Sequence, residues 1–235
     1  MDFMKHYSLK FENIKKIINN NEPVIVEIGA HYGEDTLRFL ETFPGARIFC
    51  FEPDKRNIKI FKKLVNKPGV ELIEKAVSNK NGQTKFYPSF VNSNIDSVPE
   101  KYNFISKDEY INLGLNGSGA SSIKKGFPEC LNKDYLVTVI RFDKWYHSKD
   151  IGLVDFVWID VQGAEREVIL GMGNVIKKIR MIWMEYGETN YNGAMNREET
   201  VSLLNSKGFS LDPHSSDSGP QGDLLFRNKE IYGIH

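Results

Sequence analysis

A glycine-rich turn, read within VIVEIGAHYGEDT, is the first place in the chain where the residue types indicate ligand binding. A β-branched run precedes the turn and a helix-patterned segment follows it. Gly29 and Gly33 let the backbone turn sharply and approach a ligand closely. A nicotinamide-binding turn would carry a further glycine where this chain has Ala30, and would place a pyrophosphate at the start of the helix.

Glu27 lies just before this turn and limits the ligands that the turn can hold. A carboxylate at this place repels a pyrophosphate and attracts a cation or an ammonium group. The turn therefore favours an adenosine ligand that has no phosphates and carries positive charge. S-adenosylmethionine has these properties, because it combines a sulfonium, an α-ammonium and an α-carboxylate.

A second acid, Glu52, directly follows the apolar run ARIFCF. In doubly wound sheets an acid at this point accepts hydrogen bonds from ribose hydroxyls, and a carboxylate can accept both hydroxyls at once. The alternative is that Glu52 caps the following helix, where acids are favoured. The glycine turn after one strand and the acid after the next together favour a role in cofactor binding.

Three further acids, Asp160, Glu165 and Glu185, are candidates for the chemistry. If the ligand is S-adenosylmethionine and its methyl group is transferred to a hydroxyl, which is a poor nucleophile, the reaction needs a base or a metal ion. Asp160 is our first choice for the base, because its apolar neighbours raise the pKa of a carboxylate towards the range of a base. Its alternative role is to cap the next helix.

The other two acids have alternative roles as well. Glu165 could face the same pocket or could simply favour the first helical turn, and Glu185 could line the pocket from the next strand. The three carboxylates could also ligate a divalent cation through oxygen, although no spacing in the sequence indicates a metal site. His31, inside the glycine turn, could point towards the substrate or could be solvated.

Apolar runs alternate with helix-patterned segments, and this order predicts how the candidate residues are positioned. The predicted strands cover 24–28, 46–51, 69–77, 153–161 and 179–186, followed by an antiparallel pair formed by FSLDP and DLLFRN. Predicted helices cover 34–43 and 197–208, and another begins at Pro53 and Asp54. Parallel strands joined by helices form a doubly wound α/β sheet, whose ligands lie beyond the carboxyl ends of the strands.

The chain is predicted to form a single domain over residues 1–235, with an N-terminal helical segment over 1–22. Residues 78–150 are rich in Asn, Ser, Gly and Lys, which predicts an inserted, mostly irregular or antiparallel element. This region has too few apolar residues for a separate core. Long inserted segments in compact domains often carry function.

The composition excludes several classes of partner. Lys+Arg and Asp+Glu are both 31, so the formal net charge is zero, and we expect no nucleic-acid partner. Cys50 and Cys130 fit neither a disulfide framework nor a zinc site, which favours free thiols in a reducing compartment. The chain shows neither a secretory signal nor an apolar run of the roughly 20 residues that cross a bilayer. We therefore expect a cytoplasmic protein without a membrane partner.

Five segments together resemble the FkbM-type methyltransferases, which are class I S-adenosylmethionine-dependent enzymes that methylate hydroxyl groups. The segments are EIGAHYG, FEPDKRN, AVSNKNGQTKFY, ASSI and IDVQGAEREVILGM. The resemblance runs from about Val24 to Glu185, and FVWIDVQGAEREVILGMG is its most specific part. It implies a Rossmann-like sheet of seven strands with helices on both faces and the last strand antiparallel.

The resemblance also implies roles for individual residues. Residues at the methionine end of the cofactor would be Glu27, Gly29, Ala30 and Gly33, and Glu52 would hold the ribose. Ala76 and Val77 would lie beside the adenine, whereas family members often carry an Asp just after them, where this chain has Ser-Asn. Ser121 and Ser122 would contact cofactor or acceptor, unless they belong to a flexible Gly/Ser loop.

Three functions are compatible with these patterns. The first is an S-adenosylmethionine-dependent O-methyltransferase that acts on the hydroxyl of a small molecule or glycan. The second is a nicotinamide-dependent oxidoreductase, which Glu27 and Ala30 argue against. The third is an inactive module that retains cofactor binding, which Asp160 argues against.

Overall fold

The computed structural model describes residues 13–90, 98, 102, 104–126, 133–187, 191–213, 215 and 219–234. Residues 13–18 are helical, whereas residues 1–12 and Cys130 lie outside these ranges. No helix in the described ranges is long and apolar enough to span a membrane.

Ten strands and seven α-helices follow the helical residues 13–18 in the described ranges. In chain order, the strands are β1 (Val24–Ile28), β2 (Arg47–Phe51), β3 (Val70–Ile73), β4 (Ala76–Ser78), β5 (Gly82–Phe86), β6 (Tyr135–Arg141), β7 (Val154–Ile159), β8 (Ile179–Gly187), β9 (Phe209–Leu211) and β10 (Gln221–Asn228). The helices are α1 (Glu34–Thr42), α2 (Lys55–Leu64), α3 (Lys107–Asn112), α4 (Phe142–Tyr146), α5 (Glu165–Gly171), α6 (Arg197–Ser206) and α7 (Lys229–Tyr232).

Seven of the strands form the main sheet, in the order β3-β2-β1-β7-β8-β10-β9. The pairs β1–β2, β1–β7, β2–β3 and β7–β8 are parallel, and β10 is antiparallel to both β8 and β9. This topology confirms the doubly wound α/β sheet, its seven strands and its antiparallel closing pair. It also brings the carboxyl ends of β1, β2 and β7 to the same edge.

The two faces of the main sheet are covered by different helices. Val26 and Ile28 of β1 pack in one buried cluster with Val168 of α5, whereas Ile25 packs in a second cluster with Phe39 of α1. Successive residues of a strand point to opposite faces, so the apolar run VIVEI contributes to both clusters. The near-continuous apolar sequence of the central strands follows from this double burial.

The prediction of one strand over 69–77 is wrong. The chain bends after β3, where the backbone N–H of Lys75 donates to the carbonyl of Ile73 at 2.7 Å. β3 pairs with β2 in the main sheet, whereas β4 pairs with β6 in a second sheet. Glu74 and Lys75 form the polar break between two apolar runs.

The predicted inserted region contains more regular structure than we expected. β4, β6 and β5 form a three-stranded sheet in that order, with β4–β6 parallel and β5–β6 antiparallel. Its small apolar cluster contains Ala76, Phe86, Val137 and Val139. The helices α3 and α4 also lie between residues 78 and 150.

Candidate active site

A cavity of about 1140 Å³ lies beyond the carboxyl ends of β1, β2 and β7. The glycine turn after β1 lines this cavity together with residues 118, 119 and 121–123 of the inserted region. Eight of the nine predicted cofactor residues line it, namely Glu27, Gly29, Ala30, Glu52, Ala76, Val77, Ser121 and Ser122. Of the three predicted catalytic acids, Asp160 lines this cavity.

Two glycines shape the turn in different ways. Gly29 has φ +93°, and a Cβ at this position would lie 1.7 Å from the carbonyl oxygen of Asp160, so only glycine allows the ends of β1 and β7 to meet. Gly33 has φ +88° and precedes α1, where a Cβ would lie 2.4 Å from Val65. The absence of a side chain at Gly33 therefore allows α1 to pack closely against the end of α2, and Gly33 does not line the cavity.

Glu27 is almost completely buried at the cavity wall, with 1% of its surface exposed. Its carboxyl accepts hydrogen bonds from the hydroxyl of Thr36 and, at 3.6 Å, from the thiol of Cys50. Burial, and secondarily the charge of Asp35, raise the pKa of Glu27 well above its ordinary value. Burial therefore favours the protonated form of Glu27, and a cationic ligand in the cavity would favour its ionised form.

Glu52 accepts three N–H groups after β2. Oε2 accepts the backbone N–H of His31 at 2.9 Å, and Oε1 accepts those of Asp54 (2.8 Å) and the Asn57 side chain (3.3 Å). Burial, followed by the charge of Asp54, raises the pKa of Glu52 to about 8. The N-cap of α2 is Asp54, so Glu52 is not the helix cap, and Oε2 retains capacity for a ribose hydroxyl.

Ser121 and Ser122 are held in fixed positions. The hydroxyl oxygen of Ser121 accepts the backbone N–H of Ser89 at 2.9 Å and a guanidinium N–H of Arg56 at 3.1 Å. Ser122 donates to the carbonyl of Val161 at 3.2 Å, in the turn after β7. These bonds join the inserted region to both sides of the cavity.

Asp160 forms a carboxyl cluster with Glu185 through Gln162. The side-chain N–H groups of Gln162 reach Asp160 at 2.5 Å and Glu185 at 2.8 Å. Burial, followed by the charge of Glu185, raises the pKa of Asp160 well above its ordinary value. The helix α5 begins at Glu165 with Ala164 as its N-cap, so Asp160 is not a helix cap.

Glu165 and Glu185 lie behind the main cavity, around a separate space of about 20 Å³. Glu165 is the first residue of α5, and its carboxyl accepts the backbone N–H of Gly163 at 3.0 Å. Burial raises the pKa of Glu165 to about 7, against the opposing effect of this backbone hydrogen bond. Gln162 lines both spaces, and the carboxyl of Glu185 also forms a side-chain hydrogen bond with Asp160.

Among the described residues, no group of three or more His, Cys, Asp or Glu side chains is placed to hold a metal ion. Asp160 and Glu185 are bridged by Gln162, and Glu165 turns towards the backbone of its own helix start. The three acids therefore do not converge on one point in this conformation.

Several cavity residues were not predicted from the sequence. Gln162, Glu34 and Ser118 line the cavity, and Gln162 has φ +53°, which is rare outside glycine. The dipeptide Gln162-Gly163 after a buried strand is the sequence signal for a sharp turn that could have indicated Gln162. Ser118 lies far from the turn in sequence, so its place depends on how the inserted region folds.

Two comparisons at the level of sequence find similar proteins. A model of the FkbM methyltransferase domain matches residues 27–211. The chain is 29% identical over 226 residues to the 2-O-methyltransferase NoeI of Sinorhizobium fredii, which covers 93% of this chain and 84% of that protein.

Two solved structures are also similar to the chain at low identity. The precorrin-6y C5,15-methyltransferase of Geobacter metallireducens has 11% identity and a TM-score of 0.45, covering 92% of this chain and 86% of that one. M. capricolum TrmK in complex with S-adenosyl-homocysteine has 12% identity and a TM-score of 0.43, covering 93% and 67% of the respective chains.

Proposed function

The chain belongs to the FkbM methyltransferase family and is an S-adenosylmethionine-dependent methyltransferase, and we propose that its acceptor is a hydroxyl of a sugar, glycan or other small molecule. The observation that supports S-adenosylmethionine as the cofactor is the placement of Glu27 and Glu52 at the ends of β1 and β2, where both line one cavity beside the glycine turn. Glu27 is unsuited to a pyrophosphate and suited to a cationic cofactor. This argues against a nicotinamide-dependent oxidoreductase.

The cavity residues fit S-adenosylmethionine. Glu52 has capacity for a ribose hydroxyl, and the apolar Ala76 and Val77 lie in the wall where the adenine would be held. The side-chain oxygen of Asn57 is buried without a hydrogen-bond partner among the described residues, so a ligand N–H or O–H could satisfy it. When bound, the cofactor supplies an electrophilic methyl group on its sulfonium.

Asp160 is our proposed acid–base residue on the acceptor side. It lies next to Gly29 at the point where β1 and β7 meet, with its carboxyl held by Gln162. Because burial and Glu185 raise its pKa, the form of Asp160 that can accept a proton becomes available as the pH rises. Glu165 and Glu185 would act through Asp160, since they lie behind it.

We propose a hydroxyl group as the methyl acceptor because the similar protein NoeI is named a 2-O-methyltransferase. We propose a small-molecule or glycan acceptor, with no nucleic-acid or membrane partner. Residues 118–123 and the turn after β7 would form its pocket. A cytoplasmic location is also part of the proposal, because the buried Cys50 is a free thiol.

Calorimetric titration with S-adenosylhomocysteine and with NADH tests the cofactor assignment. We expect the wild type to bind S-adenosylhomocysteine and not NADH. Glu52→Gln should weaken S-adenosylhomocysteine binding about tenfold, as expected for loss of one charged hydrogen bond. The exposed Glu22→Gln is the matched control. Binding of NADH alone, or unchanged affinity in Glu52→Gln with its fold intact by circular dichroism, would contradict the proposal.

Transfer of labelled methyl groups to a panel of methyl pyranosides tests the acceptor class. An inactive cofactor-binding module would bind S-adenosylhomocysteine and transfer nothing to any acceptor. We expect at least one pyranoside to be labelled by the wild type and less labelling by Asp160→Asn. Equal labelling by Asp160→Asn would remove Asp160 from the reaction.

A further inference from the structure

Four side chains form a continuous hydrogen-bond chain beside the cavity, on the side of the glycine turn. The hydroxyl of Tyr32 lies 2.7 Å from that of Ser118, which lies 3.0 Å from Nε2 of His31. Nδ1 of His31 lies 3.2 Å from both carboxyl oxygens of Glu34. His31, Glu34 and Ser118 line the cavity, and Ser118 belongs to the inserted region.

The protonation of Glu34 and Tyr32, the two end groups of this hydrogen-bond chain, determines which atoms donate within it. The hydrogen bond and charge of His31 help to lower the pKa of Glu34 below its ordinary value, although burial, the largest single effect, opposes this. An ionised Glu34 can only accept, so Nδ1 of His31 carries a proton. Burial raises the pKa of Tyr32, which therefore keeps its proton and shares it between Oγ of Ser118 at 2.7 Å and the carbonyl oxygen of Leu115 at 3.3 Å. Ser118 then donates to Nε2, whose lone pair is directed at the hydroxyl.

We propose that His31 is a proton acceptor of the methyl-transfer reaction, oriented by Glu34 and connected to the acceptor hydroxyl through Ser118. This inference rests on the proposed function, because it concerns the proton that the acceptor loses. An imidazole with a carboxylate on one nitrogen and a hydroxyl on the other is a recurring arrangement for proton removal. Burial and the charge of Glu185 raise the pKa of Asp160, which disfavours the form of Asp160 that can accept a proton, and His31 is a second group for this role.

The proton and electron balance of the step is complete. The acceptor oxygen forms a bond to the methyl carbon, and the carbon–sulfur bond breaks with its electron pair left on sulfur, giving a neutral thioether. The acceptor proton passes to Oγ of Ser118, which has a second lone pair free for it, while the Ser118 proton moves to Nε2 of His31. Glu34 stabilises the resulting imidazolium.

The backbone of His31 supports a functional role. Its φ of +50° is unusual for a residue other than glycine, and such conformations collect at functional sites. The ring stacks on Tyr32 at 3.6 Å and meets Tyr102 edge-on at 6.4 Å, which restricts its orientation. The titratable groups that face it are Glu34, Tyr32 and Tyr102, and its backbone N–H binds Glu52.

Nuclear magnetic resonance of ¹⁵N-labelled imidazoles tests this proposal without an acceptor. The chain has five histidines, and His31→Asn identifies the signal of His31, with Asn chosen because it tolerates positive φ. We expect neutral His31 to carry its proton on Nδ1, and this preference to be lost in Glu34→Ala. A proton on Nε2 in the wild type, or an unchanged tautomer in Glu34→Ala, would overturn the proposal.

Rate measurements at pH 7 with a labelled pyranoside extend the test. His31→Asn should reduce kcat roughly 100-fold or more, the range of a lost general base, while the affinity for S-adenosylhomocysteine changes less than about threefold. The exposed His147→Asn is the matched control. Parallel losses of rate and of S-adenosylhomocysteine affinity would show a structural role instead. Failure of the wild type to bind S-adenosylhomocysteine would overturn the proposed function, whereas the imidazole tautomer would still be measured.

Discussion

At the scale of single residues, Glu27 links the protonation state of the cavity to its ligand. Burial and then the charge of Asp35 raise its pKa, which favours the protonated form, whereas a bound sulfonium favours the ionised form. We expect S-adenosylmethionine to bind more tightly as the pH rises from 6 to 8. Glu27→Gln imitates the protonated form, so it should bind about tenfold more weakly than the wild type at pH 8 and differ less at pH 6. Calorimetric titration measures this difference, and equal pH dependence in both proteins would contradict it.

At the scale of elements, Arg56 joins the start of α2 to the inserted region. Its guanidinium donates to the carbonyls of Ser89 at 3.0 Å and Gly114 at 2.6 Å, and it pairs with the buried Asp54. Arg56→Met should lower the free energy of unfolding by about 2 kcal/mol or more, because Asp54 loses its partner.

Urea unfolding checks this value, and Lys62→Met is the control, since Lys62 pairs with Glu74 at the exposed surface, where a loss stays under about 1 kcal/mol. Amide hydrogen exchange should become faster over 104–126 in Arg56→Met, because the carbonyl of Gly114 loses its donor. Unchanged exchange over this range would show that Arg56 does not hold the inserted region.

The same elements show why some cavity residues could be predicted from the sequence and others could not. Glu27 and Glu52 end strands whose apolar runs are readable from residue type alone, so topology brings them together. Ser118 reaches the cavity because the inserted region packs against the glycine turn, and Gln162 reaches it through a left-handed backbone conformation. Hydrophobic periodicity predicts neither placement. The break after β3 was missed because VELI and AV read as one apolar run across two polar residues.

At the scale of the whole molecule, several buried carboxyl groups near the edge of the sheet have raised pKa values. Burial raises the pKa of Glu165 to about 7 and that of Glu52 to about 8, whereas unfolded glutamates ionise near 4.5. Between these values the unfolded chain binds fewer protons than the folded one, so stability falls as the pH rises. Glu34, with its lowered pKa, contributes in the opposite sense at more acidic pH. The arrangement that prepares the cavity for a cation therefore reduces the stability of the free protein at neutral pH.

The substitution Glu165→Gln isolates the contribution of Glu165 to the pH dependence of the free energy of unfolding. Gln keeps the carbonyl oxygen that accepts the backbone N–H of Gly163 and removes the ionisation, so it imitates the protonated side chain. Relative to the wild type, the variant should gain stability between pH 5 and 8, by up to roughly 3 kcal/mol for a shift from 4.5 to about 7. Urea unfolding at both pH values measures this gain, with Glu22→Gln as the exposed control. An equal pH dependence in the wild type and Glu165→Gln would show that Glu165 is already ionised in the folded protein, and that the carboxyl cluster behind Asp160 carries more charge than its burial implies.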